Sequence, residues 1–365
     1  MEHIADTRLL DKLSEILLQT IYTPDEKFLK NLKNFVEDDR DIRKYRYWEW
    51  TYGVGLYGFY NLYKATGDEK YLDVLDQYYQ ERISEGLPFK NVNTCAPMLT
   101  MALLYSHRPN PSYCHAIQEW ADWVMNEMPR TREGGLQHIT SDCINPQQLW
   151  DDTLMMTVLF LQQAGLVLKR KDYVDEAAYQ FLLHTKYLAD KKTGLWYHGW
   201  TFEGNHNFVN ALWGRGNSWI TISFPDFLEA LEGHDDVREF LQQTLVRQAE
   251  ALKECQDENG MWHTLLDDKN SYPEASATAG FAAGLLKSVR LGYLEESYRE
   301  VAQRAVKALQ SYIGPDGMVS GVSLGTAMGH ESLDFYREIG TGITPYGQSM
   351  MLLALVEYDL YAAHG

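Results

Sequence analysis

Residues 275–309, ASATAGFAAGLLKSVRLGYLEESYREVAQRAVKAL in one-letter code, contain two kinds of helical segment separated by a glycine joint. Through 275–286 almost every residue is apolar or small, so a helix there has no face for water and must be enclosed on most sides. Past Gly292 the pattern changes. Leu294, Tyr298, Val301, Ala302, Ala305, Val306 and Leu309 fall on one side with charged residues opposite, which predicts a helix with one wet face. The same alternation extends along the chain. Segments 153–161 and 349–356 are apolar all round, whereas Val237, Phe240, Leu241, Leu245, Val246, Ala249 and Leu252, and Tyr71, Leu72, Val74, Leu75, Tyr78 and Tyr79, form single stripes. Apolar helices are expected to begin near Trp50, Pro97, Asp151, Trp219, Ser276 and Pro345, and amphipathic ones near Ile4, Glu69, Tyr113, Asp172, Asp235 and Leu294.

Joints near Gly67, Asn110, Lys171, His234 and Gly292 recur at roughly sixty residues after a shorter first step, the mark of stacked helical hairpins that cannot bury their own faces alone. At the opposite ends, Gly135-Leu136-Gln137-His138, Gly194-Leu195-Trp196-Tyr197-His198, Gly260-Met261-Trp262-His263 and Gly317-Met318-Val319 read as glycine turns opening short β-hairpins. The expected fold is all-α: an (α/α)6 barrel of six hairpins, with short β-hairpins at one mouth, forming a single domain over residues 1–365. An open solenoid would need polar capping repeats, and none stands out.

The chain has 365 residues and a formal net charge of −18. That balance, without clustered Lys or Arg, argues against nucleic acid. The most apolar stretch, Leu154 to Leu168, is broken by Gln162-Gln163 and is too short for a bilayer, so no membrane partner is expected. Met1 to Asp6 lacks a basic region with an apolar run after it, which predicts a cytoplasmic protein. Cys95, Cys114, Cys143 and Cys255 form no CxxC pair and read as reduced thiols. Monomer or weak homo-oligomer is the expected state.

The first turns of the inner helices and the long connections would gather at one mouth, bringing together Trp48, Trp50, Asn93, His138, Trp150, Asp151, Asp152, His198, Trp213, Arg215, Asn217, Trp219 and Tyr346. Rings interspersed with hydrogen-bonding groups suit a sugar, whose C–H face stacks while its hydroxyls need partners, although any single Trp can equally fill the core. Asp151 and Asp152 open an inner helix. Adjacent helical positions point about 100° apart, so one carboxylate can cap the helix while the other faces the axis. A carboxyl among indoles would be poorly solvated and raised in pKa, as a general acid requires. Arg215 could grip a substrate carboxylate or pair with a structural acid. His138, His198 and His263 come from separate connections without a local HxH or HxxxH pair, so neither metal nor other cofactor is expected. On composition alone, a sugar epimerase or isomerase and a non-catalytic sugar-binding protein remain rivals.

The motifs WEWTYGVGLYGFY (48–60), GGLQH (134–138), LWDDTLMM (149–156), GLWYHGW (194–200), LWGRGNSW (212–219), EASATAG (274–280) and a C-terminal GVSLGTA, FY, YGQ series resemble glycoside hydrolase family 105, the unsaturated rhamnogalacturonyl hydrolases, related to the unsaturated glucuronyl hydrolases of family 88. The resemblance implies the (α/α)6 barrel and a short oligosaccharide ending in a 4,5-unsaturated uronic acid. It implies hydration of a vinyl ether rather than the usual two-carboxylate hydrolysis. The family pattern of Trp, any residue, Asp, Thr selects Asp152 as the catalytic acid and leaves Asp151 as a cap or supporting group. His198, Trp213 and Arg215 match substrate contacts, with His138 as another, and Arg215 with Asn217 and ring N–H groups would hold the uronate. Many relatives have a second Asp before the second inner helix, where this chain reads Asn93.

Overall fold

A computed structural model of the chain describes residues 7–35 and 39–364. Helix α1 (Thr7–Ile21) is followed by two short helices, α2 (Glu26–Leu32) and α3 (Asp39–Lys44). Regular alternation then begins: α4 (Trp50–Thr66), α5 (Lys70–Glu85), α6 (Val92–Tyr105), α7 (Pro111–Asn126), α8 (Leu159–Leu168), α9 (Lys171–Leu188), α10 (Gly214–Ala230), α11 (Asp235–Cys255), α12 (Ala275–Arg290) and α13 (Ser297–Leu309). The four-residue α14 (Asp334–Arg337) and the long α15 (Pro345–His364) complete the order.

The apolar helices pack side by side as α4, α6, α8, α10, α12 and α15, and α15 returns to α4, so the inner ring closes. Each carries its amphipathic follower outside: α5, α7, α9, α11 and α13. The sixth outer position, against α15, is taken by α1 from the other end of the chain. This is the (α/α)6 barrel expected from the alternation. The amphipathic stripes face inward, with Leu241, Leu245 and Leu252, and Val301, Ala305 and Leu309, buried in the main core.

Two starting points differ from expectation. The second inner helix begins at Val92 rather than Pro97, because Asn91 and Thr94 form a reciprocal capping box there; Pro97 sits in the second turn, and its carbonyl accepts the Tyr79 hydroxyl at 2.7 Å. The fourth begins at Gly214, before Trp219. The third begins at Asp152, beside the expected Asp151, and runs at once into a π-helical turn, Leu154–Val158. Ile4 and the Met1–Asp6 segment lie outside the described residues. Three of the four glycine turns close a single bridge, Arg130 with Leu136, Ala189 with Trp196 and Ile313 with Val319, around Gly134, Gly194 and Gly317 at positive φ, whereas past Gly260 the bridge joins His263 to Pro273. Regular pairing instead joins different connections: β1 (Gln148–Trp150) lies antiparallel to β2 (Gly199–Thr201), and β3 (Val322–Ser323) to β4 (Thr341–Gly342). All four cysteines are free, and no helix among the described residues is long and apolar enough to cross a membrane.

Close approach of the inner helices depends on small residues. A Cβ on Gly284 of α12 would lie 2.3 Å from the Thr221 carbonyl oxygen of α10, a backbone atom that cannot swing aside. Far from the mouth, the axis is plugged by charge. Asp226 of α10 accepts the Tyr57 hydroxyl of α4 at 2.5 Å and pairs with Lys287 of α12, while Arg290 grips Glu357 of α15 through two bonds of 2.9 and 2.8 Å. Gly284→Ala should therefore lower stability by about 1–3 kcal/mol through overpacking, read as a fall in the urea midpoint; an unchanged midpoint would mean the two helices do not meet there.

Candidate active site

Strand pairing brings the chemistry together. β1 ends at Trp150 and β2 starts at Gly199, and these residues are register partners. Asp151, just past β1, donates its backbone N–H to the carbonyl of His198, just before β2, at 3.0 Å. The π turn that follows widens the first turn of this inner helix, leaving Asp151 and Asp152 at its entrance.

Asp152 points its carboxyl toward His198, with Oδ2 3.2 Å from Nε2, and its side chain keeps 17% exposure. The other ring nitrogen of His198 lies 2.7 Å from the Tyr336 hydroxyl, which also accepts the Gly329 N–H at 3.1 Å. The Tyr336 hydroxyl on Nδ1 fixes the plane of the imidazole so that Nε2 faces Asp152. Trp213 closes against the same imidazole, 4.4 Å between ring centres. His138 stacks on Trp150 at 4.1 Å and 10°, and its Nδ1 meets the Thr153 hydroxyl at 2.8 Å. Burial drives His138 down to about 3, so it is neutral at physiological pH.

The two neighbouring carboxyls sit in different surroundings. Asp151 is fully buried, and neither of its oxygens has a hydrogen-bond partner among the described residues. It packs on the bare backbone of Gly216, where a Cβ would come within 2.2 Å of Oδ2. Burial first, and then the charge of Asp152, push it well above the ordinary carboxyl range. Burial pushes Asp152 in the same direction, but the close contact with Nε2 of His198 outweighs that and holds it at about 2. The two neighbouring carboxyls are thus driven in opposite directions by their surroundings.

Beside this pair, the Arg215 guanidinium is ringed by Trp213 at 4.8 Å, Tyr346 at 5.1 Å and Trp50 at 5.9 Å, with Trp219 against Trp50. Arg215 pairs with no acid among the described residues; its terminal nitrogens grip the Ser323 carbonyl and hydroxyl, the Leu324 carbonyl and the Thr326 hydroxyl, anchoring the connection that leads to α15. Its Nε and the indole N–H groups of Trp213 and Trp219 are left without partners among the described residues. Tyr346 donates to the Ser323 carbonyl at 2.5 Å.

Two expected contacts lie elsewhere. Trp48 is buried between Tyr79 and Trp120 of the outer helices, its indole N–H spent on the Thr94 carbonyl, so it is a core residue. Asn217 staples the backbone of Trp196 in both directions at 2.7 Å and also donates to the Trp213 carbonyl, so its amide is used up in positioning α10. Asn93 is bonded to Glu49, a buried carboxyl pushed up to about 8 by burial against the pull of the Ser141 hydroxyl. Tyr336, Ser323 and Glu49 had no periodic or spacing signal. Tyr336 belongs to a short helix in a long connection, and only the fold brings it to His198.

Asp151, Asp152 and His198 also form the one group among the described residues with three metal-type donors within 4.8 Å. Because His198 already faces Asp152 and is oriented by Tyr336, the trio is arranged for proton exchange. A cavity of about 490 Å³ opens elsewhere, between α5 and α7, where Lys90 is paired with Glu119 and no carboxyl pair is present.

With that geometry in hand, residues 23–361 match the family described as Glycosyl Hydrolase Family 88. The chain belongs to this family of glycoside hydrolases, in the branch numbered 105. It is 34% identical over 313 residues to the unsaturated rhamnogalacturonyl hydrolase YesR of Bacillus subtilis, covering 85% of this chain and 89% of that one. A Salmonella enterica structure described as a possible GH105 member shares 47% identity at a TM-score of 0.90, covering 100% of this chain and 97% of its own. A Klebsiella pneumoniae structure of the same description shares 45% at 0.90, covering 100% and 96%. As a family 105 protein the chain is an enzyme acting on glycosidic linkages. Replacing the hydroxyl that orients His198, Tyr336→Phe, should lower kcat roughly tenfold, about 1.4 kcal/mol of barrier, while the circular dichroism spectrum is kept; an unaltered kcat would show that His198 needs no such partner.

Proposed function

We propose that this enzyme removes a 4,5-unsaturated uronic acid from the non-reducing end of a short oligosaccharide left by a polysaccharide lyase, with the unsaturated rhamnogalacturonan disaccharide as its substrate. Asp152 gives a proton to C4, and positive charge develops at C5, where the ring oxygen stabilises it. Water adds at C5 and returns a proton to Asp152. The resulting hemiketal opens and the glycosidic bond breaks, releasing the second sugar and a keto-uronate. One carboxyl therefore serves as acid and then base.

The observation that carries this reading is the Asp152 carboxyl, partly exposed among Trp150, His198 and Trp213 rather than locked to a cation. The unpartnered Nε of Arg215 and the indole N–H groups of Trp213 and Trp219 supply donors suited to the uronate carboxylate, offsetting the chain's negative charge locally. His138 and Asn93 offer polar groups toward sugar hydroxyls, and Tyr346 a ring face. The relative YesR, named for rhamnogalacturonyl chemistry, favours rhamnose as the leaving sugar. The four free thiols and the absence of a spanning helix among the described residues fit action in the cytoplasm, by one barrel domain without a cofactor.

The test is ultraviolet absorbance of the conjugated double bond. The wild-type protein should consume the unsaturated rhamnogalacturonan disaccharide, and Asp152→Asn should lose about 10²–10⁴-fold in rate, the usual worth of a positioned general acid. A variant turning over at the wild-type rate would remove Asp152 from this role, and a wild type without absorbance loss would remove the substrate.

A further inference from the structure

Asp151 is the most unusual polar group in the molecule. It stands at a helix entrance but caps nothing, since neither oxygen accepts a backbone or side-chain hydrogen among the described residues. It is fully buried against Gly216, so a sugar cannot reach it without rearrangement. No Lys or Arg among the described residues pairs with it. The neighbouring Arg215 spends its terminal nitrogens on Ser323, Leu324 and Thr326. An ionised carboxylate in such a place would lack both solvent and partner, whereas a protonated one costs little. Asp152, within 4.8 Å, by contrast keeps 17% exposure, and its buried Oδ2 lies 3.2 Å from Nε2 of His198.

Resting on the reading of Asp152 as the acid, we infer that Asp151 is a positioning residue that keeps one proton in the pair and so makes Asp152 an acid at neutral pH. In the empty site the proton is on Asp151 and Asp152 is ionised. When the vinyl ether shields Asp152 from water and its charge becomes costly, the proton passes from Asp151 to Asp152, directly or through one water, and from there to C4. The proton released by the attacking water returns to the pair, so each turnover ends with the starting charge. The groups facing this equilibrium are Asp152, His198 and Tyr336, with His138 beyond Asp152 and Arg215 on α10. Without Asp151, Asp152 would face His198 alone and stay ionised at neutral pH.

The sign follows. The active form holds the shared proton, so turnover falls as pH rises through the upper ionisation of the pair. In Asp151→Asn that ionisation belongs to Asp152 alone, and the alkaline limb of kcat moves to lower pH by about one unit or more, with roughly tenfold or greater loss at neutral pH recovered toward acid. KM should change far less. A profile superimposable on wild type, or a loss equal at every pH, overturns the inference. A second measurement does not depend on that variant's activity or folding. Infrared difference spectra of the full chain carrying Glu49→Gln, which removes the other buried acid pushed up to about 8, should show at neutral pH a protonated-carboxyl band that persists when Asp152→Asn is added, and its disappearance there would place the proton on Asp152 and overturn the inference. Full turnover by Asp152→Asn would instead sink the reading of the acid itself, whatever the infrared band shows.

Discussion

Six apolar helices can share one axis only if their backbones nearly touch, and this constraint underlies the rest of the molecule. Where Gly284 meets the Thr221 carbonyl there is no room for a methyl group. The tight ring leaves no channel along the axis: charge pairs fill the far end and aromatic rings the near end. The loops between outer and inner helices therefore have one place to converge. The two carboxyls at the entrance of the third inner helix, the imidazole before β2 and the guanidinium on α10 come together because the wall behind them is rigid.

Within that mouth, adjacent residues acquire opposite character from their surroundings. Asp151 and Asp152 differ in nothing covalent, but one faces a glycine backbone and the other an imidazole. Desolvation without a partner favours the neutral acid, and a nearby donor favours the anion. A site built this way can keep a proton on one of two adjacent carboxyls. It also explains the small residue at position 216, since any side chain there would collide with the Asp151 carboxyl.

Much of the architecture was legible in the residues because the signal was global. A helix without a polar face has to be enclosed, and six of them alternating with striped helices allow few closed arrangements. Boundaries were less legible, because Asn91 begins a helix through a capping box that the later Pro97 obscures. The site was readable as a set of ring and carboxyl motifs, but not as individual roles. Trp48 and Trp50 look alike in sequence, yet one packs between outer helices and the other stands over Arg215. Arg215 reads as a free clamp until Ser323, more than a hundred positions away, is found holding it. Tyr336 could not have been linked to His198 from local pattern, because their contact exists only through the closed ring.

The seating of α1 beside α15 has a consequence for how the protein is made. Five of the outer helices follow the inner helix they cover, but the helix that backs α15 is among the first to be synthesised. During translation α1 has only α4 to lie against and keeps part of its apolar stripe uncovered, and the inner wall keeps an open seam between α4 and α12 until α15 emerges from the ribosome. Closure is thus a late, long-range event, and the unfinished barrel is the species a chaperone would meet.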